Sequence, residues 1–229
     1  MKASAIISAY FGEQFLDGRI QNLLLQTLRP QIVVVAQEKS TEVDIAERML
    51  DASHGDLLIQ TTDVPTIYKA WNMGIEGALG EYITNANCDD RLAKRAIERL
   101  SQDLDRRPEV AVVYPDVDIV ADLTGGFDYA WRTGYFRWAE GGFKELLEIC
   151  FLGPMPMWRK SLHSKHGWFD EHMQSAGDYE FWLRIAKAGE LFHHMRESLG
   201  IYLRRPDSAE NRDPLVGARE TKIAKKRYR

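Results

Sequence analysis

The 229-residue sequence predicts an α/β fold, with a mostly parallel central sheet flanked by helices, and three observations carry that reading. Short apolar runs alternate with segments whose apolar residues recur at helical spacing. The first runs are apolar throughout instead of alternating with polar residues, as expected of strands covered by helices on both faces. Breakers close individual elements, Pro30 the first helical segment and Gly80 the third.

Residues 2–10 are nearly unbroken apolar and form the first strand. Gly12 and Glu13 open a helix with Leu16, Ile20, Leu23, Leu24 and Leu28 on one stripe, stopped by Pro30. Residues 32–36 are short and β-branched, hence a second strand, and 42–52 carry Ile45, Ala46, Met49 and Leu50 as a second helix. Residues 57–60 form a third strand. Ile67, Ala70, Trp71, Ile75 and Ala78 then space a helix over 66–79, ended by Gly80. A fourth strand over 82–86 runs into Asp89 and Asp90, and Ala93, Ala96, Ile97, Leu100 and Leu104 predict a helix over 92–104, directly after the pair. Ligands of open α/β sheets bind outside the carboxyl ends of strands. Two adjacent carboxylates there can hold a divalent cation, which can hold a phosphate. The same two residues also suit a helix N-cap, and these residues alone leave both readings open.

After the pair the rhythm changes. Residues 110–114 read as a strand, whereas 116–142 are irregular, with Phe127, Tyr129, Trp131, Tyr135, Phe136 and Trp138 among glycines. This is a loop-heavy insertion over the sheet's C-terminal edge, where ligand contacts concentrate; the rings could equally just cover the sheet. Residues 144–151 look helical, and 153–158 are extended because Pro154 and Pro156 restrict themselves and their predecessors. A turn over 167–171, an amphipathic helix over 176–188 and a last strand over 200–203 follow. In the tail, Arg219, Lys222, Lys225, Lys226, Arg227 and Arg229 face only Glu220. Such an end is solvated, or touches phosphates or an anionic membrane surface.

Bulk properties argue against several classes. No apolar run approaches the ~20 residues that cross a bilayer, and the N-terminus is too short for a signal-peptide core. Cys88 and Cys150 cannot build a disulfide framework, which points to a reducing, cytoplasmic setting. A net charge of -4 argues against a nucleic-acid platform. His193 and His194 are adjacent on a strand and point to opposite faces, which argues against a metal pair.

Four blocks, in order, carry a family resemblance: Ala5-Ile6-Ile7-Ser8-Ala9-Tyr10; Val33 to Thr41; Tyr68-Lys69-Ala70-Trp71-Asn72-Met73-Gly74-Ile75 with Gly80-Glu81-Tyr82-Ile83; and Gly177-Asp178-Tyr179-Glu180-Phe181-Trp182-Leu183-Arg184, preceded by Gly153-Pro154 and Gly167-Trp168-Phe169-Asp170-Glu171. Together they resemble the inverting family-2 glycosyltransferases, over about residues 3–208. The resemblance implies a single Rossmann-like GT-A domain over 1–208, with a nucleotide-sugar half (1–115) and an acceptor and catalytic-base half (116–208). A basic tail (209–229) would follow. It implies transfer of a sugar from a nucleoside-diphosphate sugar, UDP-linked by preference, to a glycan or other hydroxyl acceptor. Asp178 would be the general base, and Asp89 and Asp90 would hold Mn2+ or Mg2+. Donor contacts would come from Ser8, Ala9, Tyr10, Glu38, Lys69, Asn72, Asn87, Cys88 and Arg205, and acceptor contacts from Gly153, Trp158, Tyr179 and Trp131.

Three departures stand out. The family's Asp-x-Asp is Asn87-Cys88-Asp89 here, its Asp-Asp-Gly-Ser turn is Gln37-Glu38-Lys39-Ser40, and its Glu-Asp at the base is Gly177-Asp178. They motivate one alternative, a nucleotide-sugar-binding protein without turnover, although the retained Asp89 and Asp178 speak against it. A nucleotidyltransferase would need a glycine-rich phosphate loop after the first strand, and residues 8–13 do not supply one.

Overall fold

The apolar N-terminal runs become adjacent strands of one sheet in a computed structural model that describes residues 1–63, 66–138, 140–206 and 213–229. The expected order holds through the first half: β1 (Ala3–Ala9), α1 (Glu13–Leu24), β2 (Gln31–Gln37), α2 (Thr41–Arg48), α3 (Leu50–Ser53), β3 (Leu57–Thr62), α4 (Ile67–Glu76) and β4 (Tyr82–Asn85). Strands β3, β2, β1 and β4 are neighbours in that order, and every pairing among them is parallel. Alternate residues of each strand feed two cores. Ala5 and Ile7 of β1 and Ile32 and Val34 of β2 meet Leu16, Ile20 and Leu23 of α1. Ile6, Val33 and Val35 meet Tyr68, Trp71 and Ile75 of α4. A run apolar on both faces is what two such cores require.

The second half departs from the expectation. The remaining elements are β5 (Arg91–Leu92), α5 (Ala96–Arg106), β6 (Val110–Val120), α6 (Gly126–Tyr129), β7 (Arg132–Phe136), α7 (Phe143–Glu148), β8 (Met157–Arg159), α8 (Ser161–His166), α9 (Gly177–Lys187), β9 (Leu191–Leu203) and α10 (Pro214–Tyr228). The described residues form one nine-stranded sheet. Beyond β4 it turns mixed: β8 is antiparallel to β4 and β6, β7 antiparallel to β6, β5 antiparallel to β9, and β9 parallel to β6. No helix among the described residues is long and apolar enough to cross a membrane.

Four sequence-based boundaries are corrected. The helix after the aspartates starts at Ala96, not directly behind Asp90, because Arg91 and Leu92 first pair with β9. β6 runs on through Pro115 to Val120 and, with β7, turns much of the expected loop into sheet. β9 begins at Leu191 instead of Gly200, because β6 supplies a parallel partner along that length. Most of the tail is folded: α10 lies on α9 with Ala224 fully buried and Glu220 5% exposed. The expected boundary at 208 lies outside the described residues. His193 and His194 do face opposite ways, His193 bonding Glu140 and His194 bonding Asp116.

Candidate active site

The carboxyl ends of β1 and β4, the N-terminus of α9 and one face of α10 enclose a cleft of about 940 Å³. Ser8, Tyr10, Asn87, Cys88, Asp89 and Arg205 line one part of it, and Gly153, Gln174, Ser175, Asp178, Tyr179, Thr221 and Lys225 another. Tyr68, Trp71, Phe136, Trp138 and Trp182 add aromatic surface.

The two adjacent aspartates part company here. Asp89 faces the cleft, and its Oδ2 accepts from Arg205 Nε (3.0 Å) and Nη2 (2.8 Å). The same guanidinium lies 4.8 Å from the Phe15 ring centroid. Asp90 is 1% exposed and does not line the cleft. Its Oδ2 accepts from Asn87 Nδ2 (3.1 Å), and its Oδ1 lacks a partner of good hydrogen-bond geometry among the described residues. Burial, reinforced by the Asp89 charge and opposed by Arg19, pushes its carboxyl up to about 7. Arg91 explains the turn between them, because Nη1 donates to the carbonyls of Cys88 (2.8 Å) and Asp90 (2.7 Å).

No group of three His, Cys, Asp or Glu side chains that could hold a metal exists among the described residues. A hard cation bound through substrate phosphates needs only one or two protein carboxylates. Asp89 meets that minimum. Asn87, whose amide nitrogen is committed to Asp90, offers a neutral carbonyl oxygen beside it. The donor set therefore fits a cation shared with a diphosphate and not one caged by the protein. Cys88 is no candidate ligand, since burial pushes its thiol up to about 12 and hard cations prefer oxygen. It fills space instead, because a Cβ on Gly12 would meet its sulfur at 2.8 Å.

Asp178 stands at the first turn of α9. Its Oδ1 accepts from the Tyr68 hydroxyl (3.0 Å) and the Tyr179 amide (2.8 Å). The segment before it is held by Glu220 of α10, whose carboxylate accepts from the amides of Gln174, Ser175 and Ala176 at 2.9–3.1 Å. Tyr179 lines the cleft while its hydroxyl donates to the Leu146 carbonyl, tying α9 to α7.

Ser8, Tyr10, Asn87, Cys88, Asp89, Gly153, Asp178, Tyr179 and Arg205 are thus brought together on one cleft as expected. Six other expected contacts, besides Asp90, are not. Ala9 is buried in the core under α1. Glu38 is exposed, and its amide continues the β2–β3 ladder to the Thr62 carbonyl. Lys69 turns to Asp63 at 3.3 Å. Asn72 is a buried tie between α4 and the 169–171 turn, bonding the Phe169 backbone and Glu171 Oε1. Trp158 is 1% exposed and donates to His163 Nε2. Trp131 is 80% exposed and outside the cleft. Sequence reasoning did not single out Tyr68, Trp182 or the α10 wall. The signal for α10 was the four-residue spacing of Val216, Glu220, Ala224 and Tyr228, obscured because an acid sits in the middle of the stripe.

The model of the family described as "Glycosyl transferase family 2" matches residues 4–165, well over half of the chain. The uncharacterized glycosyltransferase YwdF of Bacillus subtilis is 23% identical over 188 residues, covering 82% of this chain and 69% of the relative. An uncharacterized glycosyltransferase of Haemophilus influenzae is 21% identical over 200 residues, 83% of this chain and 62% of that one. Among solved structures, S. aureus TarS in complex with UDP-GlcNAc superposes with a TM-score of 0.74 at 16% identity, over 93% of this chain. A Pyrobaculum calidifontis mannosyltransferase in complex with GDP-Man and Mn2+ gives 0.66 at 17% identity, over 91%. This chain spans only 61% and 59% of those two chains.

Proposed function

Since the chain belongs to glycosyltransferase family 2, we propose that it moves a sugar from a nucleoside-diphosphate sugar, UDP-linked by preference, to an acceptor hydroxyl on a glycan, with inversion. The observation that carries this reading is the meeting of Asp89, paired with Arg205, and Asp178, anchored by Tyr68, on one cleft. The donor side would be built from Ser8, Tyr10, Asn87, Asp89 and Arg205. Gly153 and Tyr179, with the face of α10, would form the acceptor side.

Transfer leaves negative charge on the departing diphosphate. Arg205, held beside Asp89, would supply a fixed positive charge against it. A divalent cation held by Asp89 would supply Lewis-acid stabilisation of the same charge when bound. Asp178 would accept the acceptor hydroxyl's proton as its oxygen attacks the anomeric carbon from the face opposite the leaving group. One base and one displacement invert the centre, whereas retention through two displacements needs a carboxylate nucleophile. Two free thiols, Cys88 and Cys150, beside this chemistry suit a reducing cytoplasm.

The test is thermal unfolding with UDP, GDP, dTDP and CDP, each with and without Mn2+, followed by turnover of the selected donor. A ligand of the native state raises the melting temperature by mass action. The expected result is one nucleoside diphosphate that stabilises more with metal. Asp89→Ala should lose that metal-dependent gain. Asp178→Asn should keep it and lose transfer. Full activity in Asp178→Asn would overturn the base assignment, and silence of all four nucleotides would favour a protein without this donor chemistry.

A further inference from the structure

The family's usual acid before the base is missing here, and Gly177 stands in its place. Glycine is among the poorest helix formers, yet Gly177 opens α9 and is buried. A Cβ there would lie 2.7 Å, 2.8 Å and 3.0 Å from three ring carbons of Tyr68. The ring itself is held by edge-on contact with Trp71, centroids 5.6 Å apart, and by Phe169 at 6.0 Å. It has no room to retreat without disturbing that cluster.

We propose that Tyr68 is a positioning residue of the catalytic base: its hydroxyl orients the Asp178 carboxylate and stabilises its ionised form, and Gly177 is the vacancy that admits the ring. This deepens the proposed glycosyl transfer and rests on it. A hydrogen bond to an ionised carboxylate is stronger than one to its acid, so a donor at 3.0 Å from Oδ1 holds Asp178 ready to accept a proton. Burial and the Asp178 charge push the Tyr68 phenol well above its usual range, which keeps it a donor wherever the base is ionised.

Among the described residues, several charged or titratable groups around α9 bond partners other than Asp178. Glu180 bonds Arg184 and Tyr228. On α10, Glu220 holds the amides of 174–176, Lys225 bonds the Glu148 carbonyl and Arg227 pairs with Asp170. Glu171 is held by Asn72. The half-buried Cys150 thiol is pushed up by desolvation and the Asp178 charge, so it stays neutral.

The experiment compares wild type, Tyr68→Phe, Gly177→Ala and Asp178→Asn. One readout is nucleoside diphosphate release from UDP-N-acetylglucosamine, UDP-glucose or GDP-mannose with water as acceptor, followed against pH. Here the water oxygen bonds to the anomeric carbon, the sugar–phosphate bond breaks, and the water proton passes to Asp178. A second readout needs no turnover: the carbon-13 titration of the Asp178 carboxyl, assigned by its loss in Asp178→Asn. Tyr68→Phe keeps the ring and removes only the donor, so both acid midpoints should rise by about half to one pH unit. Plateau turnover should fall about ten-fold, with nucleotide affinity changed less than two-fold. Gly177→Ala should give the same upward shift by displacing the ring. An unmoved carboxyl midpoint in Tyr68→Phe overturns the proposal even if turnover falls. Turnover retained in Asp178→Asn overturns the base assignment itself, and that result is distinct from the first.

Discussion

Removing the carboxylate of Glu220 tests whether the C-terminal helix is part of the fold that presents Asp178. Glu220 is 5% exposed and accepts from three consecutive backbone amides, Gln174, Ser175 and Ala176, immediately before α9. Hydrogen bonds to charged groups contribute about 1.5–3 kcal/mol each, and a donor left unpaired costs about 1–3 kcal/mol. Gln174, Ser175 and Ala176 border the cleft, so water can reach part of the space that Glu220→Ala opens. We therefore expect a loss of about 3 kcal/mol, below the full sum for three bonds. Glu220→Gln keeps one accepting oxygen, which can take the place of Oε2 and serve all three amides, and should lose about half as much. For a chain of this size each kcal/mol moves the melting temperature about 2–4 °C, so Glu220→Ala should melt about 6–12 °C lower. Thermal unfolding followed by circular dichroism reads this directly. A Glu220→Ala protein within about 0.5 kcal/mol of wild type, the range of an ordinary surface change, would refute the reasoning.

Two further predictions concern residues whose roles the structure reassigns. Asn72→Ala removes three bonds to the 169–171 turn and should lower stability by about 2–3 kcal/mol while nucleotide affinity stays within two-fold; weakened affinity at unchanged stability would restore a donor role. Asp90 ionises in the native state only near pH 7, against an ordinary value of 3.8, so between those values the native protein holds a proton that the unfolded chain releases. Native stability then falls as pH rises through that window. Asp90→Asn, which cannot ionise, should gain on wild type in melting temperature between pH 5 and 8, and a difference that stays flat with pH would count against the assignment.

Much of the site was legible in local patterns because its chemistry sits at strand and helix ends. The apolar runs of β1, β2 and β4 mark where the sheet's carboxyl edge lies, and Asp89 follows from its place beyond β4, whereas Asp178 rests on the family resemblance of residues 177–184. Alternation cannot reveal which of two adjacent carboxylates faces the cleft. Arg91 bonds the carbonyls of Cys88 and Asp90 and starts β5, and this turn leaves Asp89 in the cleft and Asp90 behind it. Asn72 has the composition of a polar cleft residue, yet its partners lie almost one hundred positions away in the chain.

Residue spacing sets the layered α/β plan and the order of the first strands and helices, because backbone geometry translates spacing directly into faces, while the residues of the chemistry are read from the family resemblance. That α10 walls the cleft and that Tyr68 reaches Asp178 emerges from long-range packing. Those contacts join Glu220 to the 174–176 amides, and Tyr68 to a carboxylate 110 positions further on. No local pattern encodes a pairing of that kind; it exists only once the sheet has brought α4, α9 and α10 to the same edge.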